Sequence, residues 1–576
     1  MAAPRFLPAG DAALLLELDT LDAILALFQR AGRQRPAGVT DLVPAARTLL
    51  VCFEPEIIAA AGVVSWLRAC LRQLAGAGGP AAPRPGAGPH GVAAQATDGR
   101  RVEIPVRYAG EDLDEVAERL GLSRAEVIER HAGIDFRAAF AGFAPGFVYL
   151  TGGDPCFQGL PRRPSPRTRV PAGSVAAAGE FSAVYPSDSP GGWQLLGVTP
   201  ARMWDLGRRE PALVQPGFRV RFVDLDRPRR VLSLGAGEPA ASAGEAGAGA
   251  LGSPSPRAVP PAAARLEILE VGAQTLFQDL GRPGLTGMGV SRSGALDRAA
   301  LRRANRLVGN PSGSAVLENA LGGLRLVCRG QAVVAVTGAL APVTVTTGSG
   351  MRLPAAAGRA LSLEDGQILR VGPARAGVRC YVAVRGGFAV EPVLGSCATD
   401  VLAGIGPPPV RAGDVYAVGA GPVHGPGAPD AEDGMAATDA RGPAPQDADG
   451  PADLPRPGEL VWLDIVVGPR EDWFDRRALD LLCTQEWRVT PQSNRVGMRL
   501  SGAEPLARRR NQELPSEGTV AGAIQVPASG QPVLFLADHP LTGGYPVIAV
   551  VHSRDQDRLA QIPVGARLRF RVTAPA

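Results

Sequence analysis

Arginines set in stiffened or open backbone are the residues most able to do chemistry here. The first group is Gly142-Phe-Ala-Pro-Gly-Phe-Val-Tyr-Leu150, Pro161-Arg-Arg-Pro-Ser-Pro-Arg167, Val170-Pro-Ala-Gly-Ser-Val175 and Ser189-Pro-Gly-Gly-Trp193. Prolines fix φ and glycines admit close backbone approach. Arg162, Arg163 and Arg167 then present planar forks to a carboxylate or phosphate, beside Gly173, Ser174, Gly191 and Gly192. A solvated arginine loop with tight turns fits the same residues equally well. The second group is Gln278-Asp-Leu-Gly-Arg-Pro-Gly284 with Ser291-Arg-Ser-Gly-Ala-Leu-Asp297, Asn305 and Glu318. Ser293 and Gly294 ahead of a helix suit either an anion seat or an ordinary N-cap. The third is Asn494-Arg495, Ser516-Glu-Gly518, Gln525 and Asp538 with Thr542-Gly543-Gly544-Tyr545, which suits recognition of a small amide or carboxylate, or a set of hairpin turns.

The elements that position these groups are mostly short strands. Val102–Tyr108, Val170–Ala178, Ala212–Val214, Val220–Val223, Ala332–Val336, Val378–Arg385, Leu460–Val467, Pro532–Ala537 and Val547–His552 are β-branched runs between turn residues, a spacing that predicts barrels or sandwiches. Helices are predicted at Leu113–Leu120, after the capping box Ser123-Arg-Ala-Glu126, and at Asp297–Val308, with Gly309 as its stop. The periodic run Leu14–Phe28 and the helix-like Val63–Leu74 make a small α/β unit. His131, beside a helix end, is expected to meet the helix dipole or cap carbonyls. Gly173–Ala178 followed by Asp188–Trp193 weakly repeats as Gly518–Ala523 followed by Asp538–Tyr545, which suggests related barrels.

Connectors rich in small residues and proline, Ala75–Val92, Glu238–Ala263 and Ala420–Gly458, divide the 576 residues. The expected units are a small α/β domain at 1–80, a barrel at 93–236, a linker at 237–263, a barrel at 264–419, an acidic Pro/Gly insertion at 420–458 and a barrel at 459–576. Sixty basic residues against 56 acidic ones leave +4, which points away from nucleic acid, and all sixty are arginine. Without lysine the chain can form no Schiff base, complete no GxxxxGK[ST] loop and carry no biotin of its own. Seven scattered cysteines argue against disulfides, and five histidines, with His90 and His424 in connectors, against a metal site. No membrane span or leader is expected, so the chain reads as cytoplasmic.

The motifs GFAPGF, PRRPSPR, VPAGS and SPGGW resemble the B component of the bacterial 5-oxoprolinase complex, related to allophanate hydrolase subunit 1 and the kinase inhibitor KipI. QDLGRPG, SGALDRAALRRANRLVGN, RGGF, SNRVGMRLSG, SEGTVAGAIQVP and TGGYP resemble the C component of that complex, related to allophanate hydrolase subunit 2 and the KipI antagonist. The resemblance implies a fusion of the two: a mainly β chain with α/β parts, in which a small N-terminal α/β domain precedes three cyclophilin-like barrels. It further implies a separate A component of LamB/YcsF type, and conversion of 5-oxo-L-proline, ATP and water to L-glutamate, ADP and phosphate, with ATP and Mg²⁺ as co-substrates. It is compatible with a homo-oligomer. On that reading Arg162, Arg163, Arg167, Ser293 and Gly294 hold phosphate, and Asp279, Arg282, Asn494, Arg495 and Asp538 position the lactam or Mg²⁺ beside Thr542, Gly543 and Gly544. Arg162→Ala and Arg167→Ala are expected to abolish turnover and leave thermal unfolding near wild type. Carboxyl transfer from biotin on another protein to urea or a related amide, and a regulatory module of the kinase-inhibitor type, are the alternative functions.

Overall fold

The computed structural model describes residues 3–76, 100–163, 165, 167–227, 264–421, 454–510, 512 and 514–574. The linker at 237–263, most of the other two connectors, His90 and His424 lie outside the described residues.

In the N-terminal unit, helices Leu21–Arg33 and Ala60–Gly76 pack on an antiparallel sheet ordered Arg5–Pro8, Ala13–Glu17, Thr48–Phe53, Val39–Pro44. The run Leu14–Phe28 divides into a strand and a helix of the expected α/β unit. Leu14, Leu15 and Leu16 are all buried, the outer two toward the helices and Leu15 toward Leu541. Burial on both faces suits a strand. The helix starts only where Thr20 caps the Ala23 amide at 3.3 Å, and it buries Ile24, Leu27 and Ala31 along one stripe.

The next unit is a seven-stranded sheet ordered Gln194–Val198, Ser174–Ala178, Phe181–Val184, Val148–Thr151, Asp135–Ala141, Arg219–Asp224, Arg101–Val106. A bridge between Arg107 and Val198 closes it into a barrel. The expected strand Val170–Ala178 is split at Gly173, whose φ of +82° turns the chain, and Ala212–Val214 contributes one bridge instead of a strand. Leu113–Leu120 and Arg124–Ala132 are helical, and Ser123 and Glu126 form the full capping box. His131 does not act on a helix end. It is wholly buried, bonded to Tyr108 Oη at 2.8 Å and Ser182 Oγ at 3.0 Å, and burial pushes its pKa down to about 3, so it is a neutral core residue.

In the C-terminal half, a six-stranded and a five-stranded sheet enclose one apolar core that includes Leu266, Phe277, Leu326 and Val382. The last unit is a closed barrel of Leu460–Val467, Val547–Val551, Ala523–Gln525, Val533–Phe535, Gly497–Ser501, Trp487–Val489 and Arg567–Val572. Its first and last strands pair in parallel, as Arg101–Val106 and Arg219–Asp224 do in the N-terminal barrel. Each of these two barrels also has a two-stranded arm, Arg167–Val170 with Ser189–Gly191 and Glu517–Gly518 with Thr542–Gly543. The second strand of each arm falls within the weak sequence repeat.

Candidate functional site

The two halves meet where loop Gly142–Phe147 enters a seam between the last barrel and the turn Leu285–Gly289. The Phe143 amide donates to Thr542 Oγ1 at 2.9 Å, and the Gly146 amide to the Met288 carbonyl at 3.2 Å. A side chain would crowd its neighbours at two glycines there. A Cβ on Gly142 would lie 2.6 Å from Thr542 Cγ2, and one on Gly544 2.6 Å from Arg162 Nη1. Tyr149 Oη lies 3.1 Å from Ser516 Oγ and 3.4 Å from Thr542 Oγ1, and Arg162 Nη2 donates to Ser516 Oγ at 3.4 Å. Phe140, Phe147 and Trp193 pack around the Tyr149 ring with centroids 4.3, 5.2 and 5.6 Å away. One guanidinium and three hydroxyls, held by an aromatic wall and two glycine approaches, make a polar cluster that can recognise a small amide or carboxylate.

Of the three loop arginines only Arg162 enters this seam. Arg163 Nη1 and Arg167 Nη2 donate to Asp112 Oδ1 at 2.6 and 2.7 Å, and Arg167 also pairs with Glu111. Asp112 is 2% exposed, and its second oxygen accepts the Leu195 amide at 2.7 Å. Against a large desolvation cost, these bonds hold its carboxyl below the usual range. The expectation of three forks waiting for phosphate is corrected accordingly: two of them hold the protein's own carboxylate. Ser174 bonds the Pro171 carbonyl at 2.8 Å, and Gly191 lies against the Tyr185 hydroxyl, so both shape the turn. The Gly192 carbonyl accepts the Arg163 amide at 2.7 Å, and Gly173 exchanges backbone bonds with Tyr185 and Thr199.

Arg282, Arg495, Asp279 and Asp538 gather in a second, buried cluster between the two C-terminal barrels. Arg495, 3% exposed, pairs with Asp538 through Nε at 2.9 Å, with Glu318 through Nη1, and with the Gly294 carbonyl. Asp538 also accepts from Ser293 Oγ at 2.6 Å and from the Val401 amide at 3.0 Å. Asp279 takes the Gly281 amide, the Ser396 hydroxyl and the Cys397 amide, while Arg282 donates to the Ala398 carbonyl. These side chains hold loops together. Asn494 is outside the cluster: it is exposed, and its side chain caps the Val496 amide of its own turn.

The expected anion seat at Ser293 and Gly294 is also corrected. The helix Arg298–Val308 begins four residues after Gly294, and the Asp297 carboxylate caps its Ala300 amide at 2.8 Å. The Arg298 amide is taken by Asp557 and the Leu296 amide by Glu318. An N-terminus ringed by the protein's own acids offers an anion nothing. Ser293, with φ of +53°, serves instead to aim its hydroxyl at Asp538.

Sequence reasoning gave no role to Tyr149, Asp112 or Arg470. Tyr149 lies in a motif that did point to the seam; the other two acquire meaning only from partners far along the chain. Two open hollows of about 350 and 390 Å³, one lined by Phe6, Arg68 and Leu71 and the other by Arg488, Gln492 and Val564, lie away from the seam. Among the described residues no group of three His, Cys, Asp or Glu side chains could hold a metal, and no helix is long and apolar enough to cross a membrane.

Residues 4–214 match the carboxyltransferase domain, subdomains C and D, and residues 288–572 match its subdomains A and B. The chain is 36% identical over 314 residues to the C component of 5-oxoprolinase from Escherichia coli strain K12, covering 53% of this chain and 90% of that protein. It is 46% identical over 127 residues to the B component of 5-oxoprolinase from Bacillus subtilis, covering 22% of this chain and 52% of that one. The crystal structure of TTHA0988 superposes with a TM-score of 0.73 at 34% identity, over 97% of this chain and 99% of that one. The urea amidolyase of Saccharomyces cerevisiae is 29% identical over 324 residues, which are 16% of its length.

Proposed function

The chain belongs to the carboxyltransferase-domain family, with the C/D subdomains ahead of the A/B subdomains in one polypeptide, and from that membership we propose that it is the joined B and C component of a cytoplasmic ATP-dependent 5-oxoprolinase. The observation that carries the reading is the seam, where motif residues of the B-like half, Phe143, Tyr149 and Arg162, meet Ser516, Thr542 and Gly544 of the C-like half. A five-membered lactam is a resonance-stabilised amide, and opening it consumes ATP and two waters as glutamate, ADP and phosphate form. Hydroxyls of Tyr149, Ser516 and Thr542 suit the lactam N–H and C=O, and Arg162 suits its anionic end. Asp538 and Arg495 act at a distance, by fixing the start of the loop that ends in Thr542 and Gly543. Mg²⁺ enters as the counter-ion of ATP, and an A component of LamB/YcsF type completes the enzyme.

The purified chain mixed with such a component, 5-oxoproline, ATP and Mg²⁺ releases glutamate and ADP. Arg162→Ala lowers that turnover and leaves thermal unfolding near wild type. Phosphate release at background with a competent partner rejects the proposal. Carboxyl transfer to urea is the second reading, favoured by the family's carboxyltransferase domains; without lysine its biotin must come from another protein, and decay of a carboxybiotin carrier on adding this chain and urea is its signature.

A further inference from the structure

A buried arginine of the last barrel ties the N-terminal α/β unit to the seam. Arg470, 4% exposed, donates from Nε to both Glu517 oxygens at 2.9 and 3.0 Å and from Nη1 to Glu17 at 3.1 Å, and its Nη2 also binds Glu517. Glu17 ends the strand Ala13–Glu17. Glu517 begins the two-residue strand that pairs with Thr542–Gly543, Glu517 opposite Gly543 and Gly518 opposite Thr542. The seam hydroxyls flank this pairing, with Ser516 next to Glu517 in sequence and Thr542 across from Gly518. A ladder this short is weakly specified by its own hydrogen bonds. Within the last barrel the Thr519 amide extends the pairing to the Leu541 carbonyl at 3.0 Å, and the N-terminal unit adds further support: the Ala46 amide donates to the Ser516 carbonyl at 3.3 Å, and Gly518 lies so close that a Cβ would stand 2.7 Å from Leu50 Cβ.

We propose that Glu17 and Arg470 are positioning residues of the seam, the forked guanidinium clamping Glu517 from one side and Glu17 from the other, so that Ser516 and Thr542 stand where Tyr149 and Arg162 meet them. The N-terminal unit is then a part of the substrate site and not an appendage. The inference rests on the lactam reading of that seam.

The test uses the full chain with its partner component. Glu17→Gln leaves Arg470 and Glu517 as a one-to-one buried pair, and Arg470→Lys keeps the charge without the fork. Both variants are expected to lower kcat/KM for 5-oxoproline about tenfold, through KM more than kcat. In both, amide exchange is expected to rise in 516–519 and 542–543 while the barrel strand Leu460–Val467 stays protected. Wild-type exchange in the two seam segments overturns the inference, and so does exchange that rises evenly through the barrel, the sign of a merely structural clamp. Should wild type fail to open 5-oxoproline, the lactam reading falls and the exchange measurement still decides the positioning claim.

Discussion

Asp297→Asn is expected to stabilise the protein at neutral pH, though it alters a helix cap. Asp297 is 7% exposed, accepts from Ala300 N at 2.8 Å and Gln561 Nε2 at 2.7 Å, and has no ion-pair partner among the described residues. Burial pushes its pKa up from 3.8 to about 6, and the neighbouring charges of Asp557 and Glu318 push the same way. The folded state thus holds a proton that the unfolded chain releases. Stability is fully present below 3.8 and is lost as pH rises through about 6, by about 3 kcal/mol in all, at about 1.4 kcal/mol per pH unit. Asparagine is an equally good N-cap, so the Ala300 bond survives. Its amide meets Gln561 Nε2 badly, at a cost of about 1 kcal/mol. The variant should then be about 2 kcal/mol more stable than wild type at pH 8, an advantage that shrinks by about 1.4 kcal/mol at pH 5. Urea midpoints followed by tryptophan fluorescence at the two pH values measure this. A difference between the proteins that does not change with pH refutes the reasoning.

Arg495→Met leaves Asp538, 0% exposed, without an ion pair among the described residues and Glu318, 4% exposed, with Arg379 alone, and is expected to cost about 3–5 kcal/mol; denaturant titration reads it. Arg167→Met removes one of two guanidiniums from Asp112 but leaves Arg163 and the Leu195 amide, so thermal unfolding should show a loss of about 1–2 kcal/mol, against the expectation that this arginine is dispensable for stability. Tyr149→Phe keeps the aromatic stacking and deletes the hydroxyl facing Ser516 and Thr542; a loss near 1 kcal/mol in calorimetry with a more than tenfold fall in 5-oxoproline turnover is expected, and unchanged turnover counts against the seam.

Local signals in the sequence were enough for local features. The capping box at Ser123, the helix Leu113–Leu120 and the stop at Gly309, whose φ is +78°, depend on residues within one or two turns of each other, and they stand as expected. The anion seat at Ser293 failed on a signal that lay in the motif itself, since Asp297 directly precedes the apolar stripe and is the better N-cap. Other misreadings had no local remedy. Arg163 and Arg167 find Asp112 more than 50 positions upstream, and Phe143 meets Thr542 across 399. Nothing in a proline-stiffened arginine loop says whether its forks await a ligand or a distant aspartate. The quoted motifs nonetheless identified the residues of the seam, because its glycines and hydroxyls come from sequence runs too unusual for a plain turn.

The contacts of the first strands set a schedule for biosynthesis. Glu17 waits for Arg470, 453 positions later, and Asp11 for Ser553, 542 positions later. Leu15, facing Leu541, stays uncovered for as long as the ribosome has not delivered the final barrel. A polypeptide terminated before that barrel would present a bare greasy sheet face to chaperones and to its own kind, whereas joining the halves on a single message guarantees each nascent N-terminus its matching surface.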